Sequence, residues 1–166
     1  MAKSKLLELC IVNPQMCKDF DLKQAMDYNY TTKQIMNKNR GFVNVLVAID
    51  GVHFVIPLRS NMPKNYQLKY KLRDSKNKGY VEGLDFGKAL ILENDSYIVS
   101  NHFKMRQIED YFNLMDNAQY IISKFRKHIV DFNQAVENSD VNKLTDPMRF
   151  KFCTFVNYIE RIKHII

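Results

Sequence analysis

The sequence predicts an α+β domain: a small antiparallel β-sheet flanked by helices, with two long helices in the C-terminal third. Three observations carry this. Residues 42–64 hold two runs rich in Val, Ile and Phe on either side of Asp50-Gly51. Shorter apolar runs flank them at 5–12, 89–92 and 97–99. Beyond residue 104 the apolar residues recur every three or four positions, the period of a helix that buries one face.

Taken in order, residues 5–12 form a first strand that ends at Asn13-Pro14. Residues 19–29 read as a short helix, with Asp19 or Asp21 as N-cap and Phe20, Leu22, Ala25 and Met26 on its apolar face. Residues 28–41 are polar and aromatic and cross the surface. The hairpin follows. Asp50-Gly51 suits a two-residue type I′ turn, which needs positive φ at both positions. The near-continuous apolarity of its strands, 42–49 and 52–58, predicts cover on both faces. Pro57 cannot donate to a ladder and marks an edge or the end of the second strand. Residues 67–72 alternate weakly and form an exposed strand, 74–79 a turn, and 89–92 and 97–99 two more strands. The last third carries a stripe of Met105, Ile108, Phe112, Met115, Ile122, Phe125, Ile129, Phe132 and Val136, broken at Asn138-Ser139-Asp140. A second long helix begins near Asp146-Pro147, with Phe152, Phe155, Val156, Ile159, Ile162 and Ile166 as its stripe.

The 166 residues form one domain, 1–166, with 46% apolar and 26% charged residues, ordinary for a globular chain. No apolar run approaches the roughly 20 residues that span a bilayer, so no membrane partner is expected, and Glu8 spoils the N-terminus as a signal peptide. Cys10, Cys17 and Cys153 lack metal spacing. Cys10 and Cys153 lie in apolar patterns and read as buried thiols of a reducing cytoplasm. Glycine-rich phosphate loops, GxSxG, HExxH and CxxC are missing, and His53, His102, His128 and His164 are widely separated. No cofactor or metal is expected.

The formal net charge is +7, which favours a polyanionic partner. Residues 59–78 hold seven cations, Arg59, Lys64, Lys69, Lys71, Arg73, Lys76 and Lys78, against the single acid Asp74. Tyr66, Tyr70 and Tyr80 are interleaved with them. Cations that track a backbone and rings that stack on bases are the ingredients of single-stranded RNA binding; a solvated loop face is the other reading. Ser60 follows a buried strand, so its hydroxyl is presented by a rigid support, or it opens a turn by bonding a nearby N–H. His53, among apolar neighbours, reads as structural or as a proton carrier. Antiparallel pairing about Asp50-Gly51 places Arg40 at the same hairpin end as Ser60.

The run Arg40-Gly-Phe-Val-Asn-Val-Leu-Val-Ala-Ile-Asp-Gly-Val-His-Phe-Val-Ile-Pro-Leu-Arg-Ser60, followed by Lys64, resembles the ToxN/AbiQ-type toxins of type III toxin–antitoxin and phage abortive-infection systems. The shared order is a basic residue, an apolar strand, a polar-Gly turn, an aromatic-containing strand, Pro-Leu-x-Ser and a lysine. Residues 83–91, Gly-Leu-Asp-Phe-Gly-Lys-Ala-Leu-Ile, resemble the family's next strand, so the likeness covers 40–92. It implies a strongly twisted, barrel-like toxin-nuclease sheet and a metal-independent endoribonuclease acting on cellular or phage RNA. It also implies inhibition by a structured repeat antitoxin RNA, processed by the toxin and bound in an assembly of several protein copies. Ser60 matches the active-site serine, Lys64 the lysine after it, and Arg40 a basic residue before the first hairpin strand. A histidine often found beyond the serine is absent, with Asn65-Tyr66 in its region; Tyr28 and Tyr30 are candidates for the early tyrosines.

The expected chemistry follows from RNA itself, whose 2′-hydroxyl is the nucleophile. The protein aligns the 2′-oxygen, phosphorus and leaving 5′-oxygen, a contribution of about 7–11 kcal/mol. It also stabilises the phosphorane, about 3–4 kcal/mol per placed donor. Arg40 and Lys64, or Arg59, face the nonbridging oxygens, and Ser60 bonds the phosphate or the 2′-hydroxyl. Tyr66, Tyr30, His53 and Lys64 are the candidate proton carriers. Arg59, Tyr66, Lys69, Tyr70, Lys71, Arg73, Lys76 and Tyr30 form the expected RNA-binding set. The products are a 2′,3′-cyclic phosphate and a 5′-hydroxyl.

Overall fold

The structure is a computed structural model that describes residues 6–36, 43–101 and 105–166. The first strands are β1 (Glu8–Val12) and a small separate hairpin, β2 (Tyr28–Asn29) with β3 (Gln34–Ile35). The main sheet adds β4 (Val43–Ile49), β5 (Val52–Pro63), β6 (Lys69–Asp74), β7 (Tyr80–Asp85), β8 (Leu90–Ile91) and β9 (Ile98–Ser100). Its order is β6-β7-β5-β4-β1-β9, with β8 also on β5 and every pair antiparallel. The fold is therefore α+β on an antiparallel sheet. Among the described residues β6 and β9 end the sheet, and it does not close into a barrel.

The central hairpin forms as its sequence requires. Ile49 faces Val52, and Asp50 (φ +47°) and Gly51 (φ +80°) occupy the left-handed region that a type I′ turn demands. Its strands are covered on both faces. Val45, Val47, Phe54 and Ile56 join the main core, whereas Val55 packs with Cys10, Val12 and Met16 on the other side. The second strand, however, continues five residues beyond the expected end at 58. Pro57 faces Asn44 as the last pair with β4, and Leu58 opens the ladder to β7 by facing Leu84. The proline thus sits where the strand exchanges one set of neighbours for another, a place that tolerates a missing donor.

Five helical stretches are described: α1 (Gln15–Asp19), α2 (Ile108–Asp116), α3 (Ala118–Glu137), α4 (Val141–Thr145) and α5 (Ile159–Ile162). Ile121, Phe125, Ile129 and Phe132 give α3 a buried stripe at helical spacing. Phe125 meets Phe54 of β5 edge-on, with ring centroids 5.1 Å apart. Among the described residues no helix is long and apolar enough to cross a membrane.

Two expected helices give way to other structure. Residues 19–29 turn through Asp21, Gln24 and Asp27, all at positive φ, so they cannot continue a right-handed helix, although Leu22 and Ala25 are buried as their polarity predicts. The second long C-terminal helix is replaced by a 3₁₀ turn (Thr154–Asn157) and the four-residue α5. Phe155 and Ile162 are buried, but Phe152, Val156 and Ile159 of the same stripe are exposed. This stretch is rich in Phe, Tyr and β-branched residues, which are poor helix formers. Specific tertiary bonds hold it instead. The Thr154 hydroxyl donates to the carbonyl of Ala89 and lies 3.2 Å from that of Gly87, and Asn133 Nδ2 donates to Ile162 O (2.8 Å) and Ile165 O (3.0 Å).

Candidate functional site

Ser60 owes its position to a register shift in β5. Arg59 faces Gly83 and Met62 faces Val81, so Ser60 and Asn61 together stand opposite Glu82 alone. On the other side of β7, Lys71 faces Gly83 and Arg73 faces Glu82, leaving Leu72 as the extra residue. Both neighbours of β7 therefore bulge at the same step. Gly83 permits this. A Cβ there would lie 1.9 Å from the carbonyl oxygen of Tyr70, so any side chain would force β6 away. Bulges of this kind re-aim side chains and bend strands next to sites.

Ser60 and Asn61 are exposed. Asn61 rather than Ser60 organises the neighbouring turn: its Oδ1 accepts from Ser75 Oγ (2.8 Å) and Asn77 Nδ2 (3.0 Å). The turn between β6 and β7, carrying Lys76 and Lys78, is thereby tied to the residue beside Ser60. Lys64 joins the same end. Its backbone N–H donates to Gly79 O (3.1 Å), and its Nζ lies 3.9 Å from Asp74 Oδ1. Lys71 Nζ lies 2.9 Å from that same oxygen. The hydrogen bond from Lys71, followed by the charge of Lys71 and then Lys64, holds the Asp74 carboxyl below the usual range. One exposed carboxylate thus serves two ammonium groups, beside two further exposed lysines, Lys76 and Lys78. Tyr80, which faces Pro63 across the ladder, is 41% exposed and adds an accessible ring.

Other members of the expected RNA-binding set serve the fold. Tyr66 is 8% exposed, so its ring is withdrawn from the surface. Its hydroxyl donates to Asp85 Oδ1 (2.8 Å), and Arg59 donates from Nη1 to Asp85 Oδ2 (2.9 Å). Asp85 is 0% exposed. Burial raises its pKa, and the Arg59 guanidinium pulls it back. Burial first, then the charge of Asp85, push the Tyr66 phenol far up, which removes it as a general base. Tyr70 is also buried, its hydroxyl donating to Asn113 Oδ1 (2.6 Å). Arg73 pairs with Asp110 and reaches Glu82 at 3.8 Å. Lys69 Nζ donates to the carbonyls of Lys64 (2.9 Å) and Tyr66, closing the chain that follows β5.

Of the remaining candidates, Arg40 lies outside the described residues. Tyr30 sits in the turn of the separate β2–β3 hairpin. His53 is seven residues before Ser60 on the same strand, a separation of about 23 Å at 3.3 Å per residue. It cannot share a site with Ser60. At the end of β5 that carries Ser60, Lys64 is an exposed candidate proton carrier, whereas Tyr66 is buried.

Three features were not expected. Asp85 anchors Arg59, Asn61 ties the β6–β7 turn to β5, and Lys88 joins two distant segments of the chain. Lys88 donates from a half-buried position to Gln24 O (2.8 Å) and Phe152 O (2.7 Å), and burial lowers its pKa. The signal for Asp85 was an acid set between Leu84 and Phe86, a charge in an apolar frame that needs a partner. Burial raises all three free thiols, Cys10 and Cys153 to about 11 and Cys17 to about 12, so none is an activated nucleophile. Among the described residues no group of three His, Cys, Asp or Glu side chains is placed to hold a metal ion.

Compared with models of protein families, with curated proteins and with solved structures, the chain matches none.

Proposed function

We propose that this chain is a metal-independent endoribonuclease of the ToxN/AbiQ type, the toxin of a type III toxin–antitoxin or phage-defence system. The observation that carries the reading is the setting of Ser60: exposed on a β-bulge of a strand with a buried apolar base, next to Asn61, which ties it to the β6–β7 turn that carries Lys76 and Lys78. The ordered likeness of residues 40–92 to the family adds to it.

RNA enters over the end of β5 and the β6–β7 turn, where a phosphate competes with Asp74 for Lys64 and Lys71. Ser60 Oγ donates to a nonbridging oxygen or holds the 2′-hydroxyl in line with the leaving 5′-oxygen. The 2′-oxygen attacks phosphorus as its proton passes to a base, and the 5′-oxygen leaves with a proton from an acid. Lys64 stabilises charge on the phosphorane and, in its ammonium form, supplies the leaving-group proton; Arg40 is the second candidate for the nonbridging oxygens. Arg59 acts through Asp85 to hold the strand, rather than on the phosphate. The structured repeat antitoxin RNA occupies the same basic face in a cytoplasmic assembly with several copies of the chain.

Purification from a strain carrying the native locus tests the reading. A discrete small RNA with 5′-hydroxyl and 2′,3′-cyclic phosphate ends is expected to co-purify. Absence of RNA, or RNA with 5′-phosphate ends, contradicts it. An uncut RNA bound with the same affinity by Ser60→Ala and the parent chain would assign residues 59–78 to a non-catalytic RNA-binding protein.

A further inference from the structure

A second set of cations lies on the far side of β6, outside residues 59–78. Lys124 and Lys127 project from the N-terminal half of α3, and Arg149 approaches from the C-terminal segment, its Nε donating to Gln67 Oε1 (2.7 Å) just before β6. Lys69 joins this set to the Ser60 end, because the same ammonium that bonds Lys64 O lies close enough to Lys124 to be affected by its charge. Between them is Tyr120, 57% exposed, with Lys124 Nζ 5.9 Å from its ring centroid and Tyr70 edge-on beneath it at 6.2 Å.

His128, half-buried on α3, lies among these cations. Its Nε2 is buried without a partner among the described residues. Burial first, then the charge of Lys124, with Lys127 and Arg149 adding to it, push the imidazole down to about 4, against the opposing charge of Asp131. Asp131 itself is engaged by Lys143 (2.6 Å). Like charges held together around a neutral histidine leave a field that an anion relieves. A held ring beside two lysines is also how a single strand is gripped, with the base on the ring and the phosphates on the cations.

We propose that the surface formed by Tyr120, Lys124, Lys127 and Arg149 is a track for single-stranded RNA flanking the phosphate held at Ser60. The track rests on the RNA reading above and extends it: the nuclease takes long single strands in preference to short ones, and α3, not only the β6–β7 turn, supplies the difference.

The test compares two fluorescein-labelled single-stranded RNAs, one of about 4 and one of about 20 nucleotides, lengths that bracket the roughly 4–16 covered by one binding fold. Both are titrated over a salt series in the Ser60→Ala background, in which cleavage is slow on the timescale of the titration. In the parent background the long RNA is expected to bind much the tighter. Lys124→Gln/Lys127→Gln is expected to weaken the long RNA about tenfold near 0.15 M salt and to lower its salt slope by about 1.4, at about 0.7 per single-strand phosphate contact. Tyr120→Ala is expected to weaken it without changing the slope. Lys18→Gln, on α1 at the opposite sheet face, controls for general charge. If the double variant keeps the full advantage of long over short RNA, the track is wrong. Equal binding of both RNAs by the parent also overturns the track but leaves the nuclease reading standing, and binding of neither overturns both.

Discussion

Ser60→Ala is expected to lower the rate of RNA cleavage by about 10²–10³-fold, the usual loss when one donor to a developing oxyanion is removed. Affinity for RNA is expected to stay within about twofold, because Lys64, Lys71, Lys76 and Lys78 remain and phosphate contacts dominate binding. Stability is expected to change by less than about 0.5 kcal/mol, as for other exposed positions, since Asn61 makes the bonds that tie the turn to β5. Single-turnover cleavage, fluorescence anisotropy and a urea midpoint measure the three. An unaltered cleavage rate would reduce Ser60 to an ordinary strand residue and remove it from the mechanism.

Asp85→Ala is expected to act on the fold instead, by about 3 kcal/mol. Removing one member of a buried ion pair costs about 3–5 kcal/mol, and the lower end applies because Arg59 is 35% exposed and regains some water. The buried Tyr66 hydroxyl loses its acceptor as well. For a chain of this size the loss corresponds to a fall in Tm of about 6–12 °C. Arg59→Met in the Asp85→Ala background is expected to cost much less than it does alone, because the two side chains form one unit. Additive costs would mean that Arg59 spends its charge elsewhere, and would return it to the RNA-binding set.

The contrast between these two residues explains what could be read in advance. The hairpin was legible because Asp50-Gly51 and two apolar strands form a local pattern. The residues around Ser60 were legible as a cationic segment, because charge density needs no fold to be seen. The bulge was not, since it depends on the register of β5 against β7, residues about twenty apart in the chain. Strand β7 was reached only through the likeness of residues 83–91 to a family strand, because Gly83 and Asp85 break the alternation for tertiary reasons: Gly83 for the close approach of Tyr70 O, and Asp85 for Arg59 and Tyr66. The exposure of the individual tyrosines was not legible. Tyr66 and Tyr70 are buried with their hydroxyls satisfied, while Tyr80 and Tyr120 offer their rings to solvent. A tyrosine has both an apolar body and a polar tip, so its sequence neighbours do not tell which one it will bury. The C-terminal stripe misled for a related reason, its spacing being compatible with a helix while Thr154 and Asn133 secured another path.

If RNA is made to cut itself at Ser60, the ends of RNA cut in excess chelator reveal it. With ribose throughout, the pure protein is expected to leave 2′,3′-cyclic phosphate and 5′-hydroxyl ends at an unchanged rate in chelator. With a single 2′-deoxy substitution at the cut position, that cut is expected to vanish while binding persists. A cut that survives the 2′-deoxy substitution, or one that stops when chelator is added, would contradict the account.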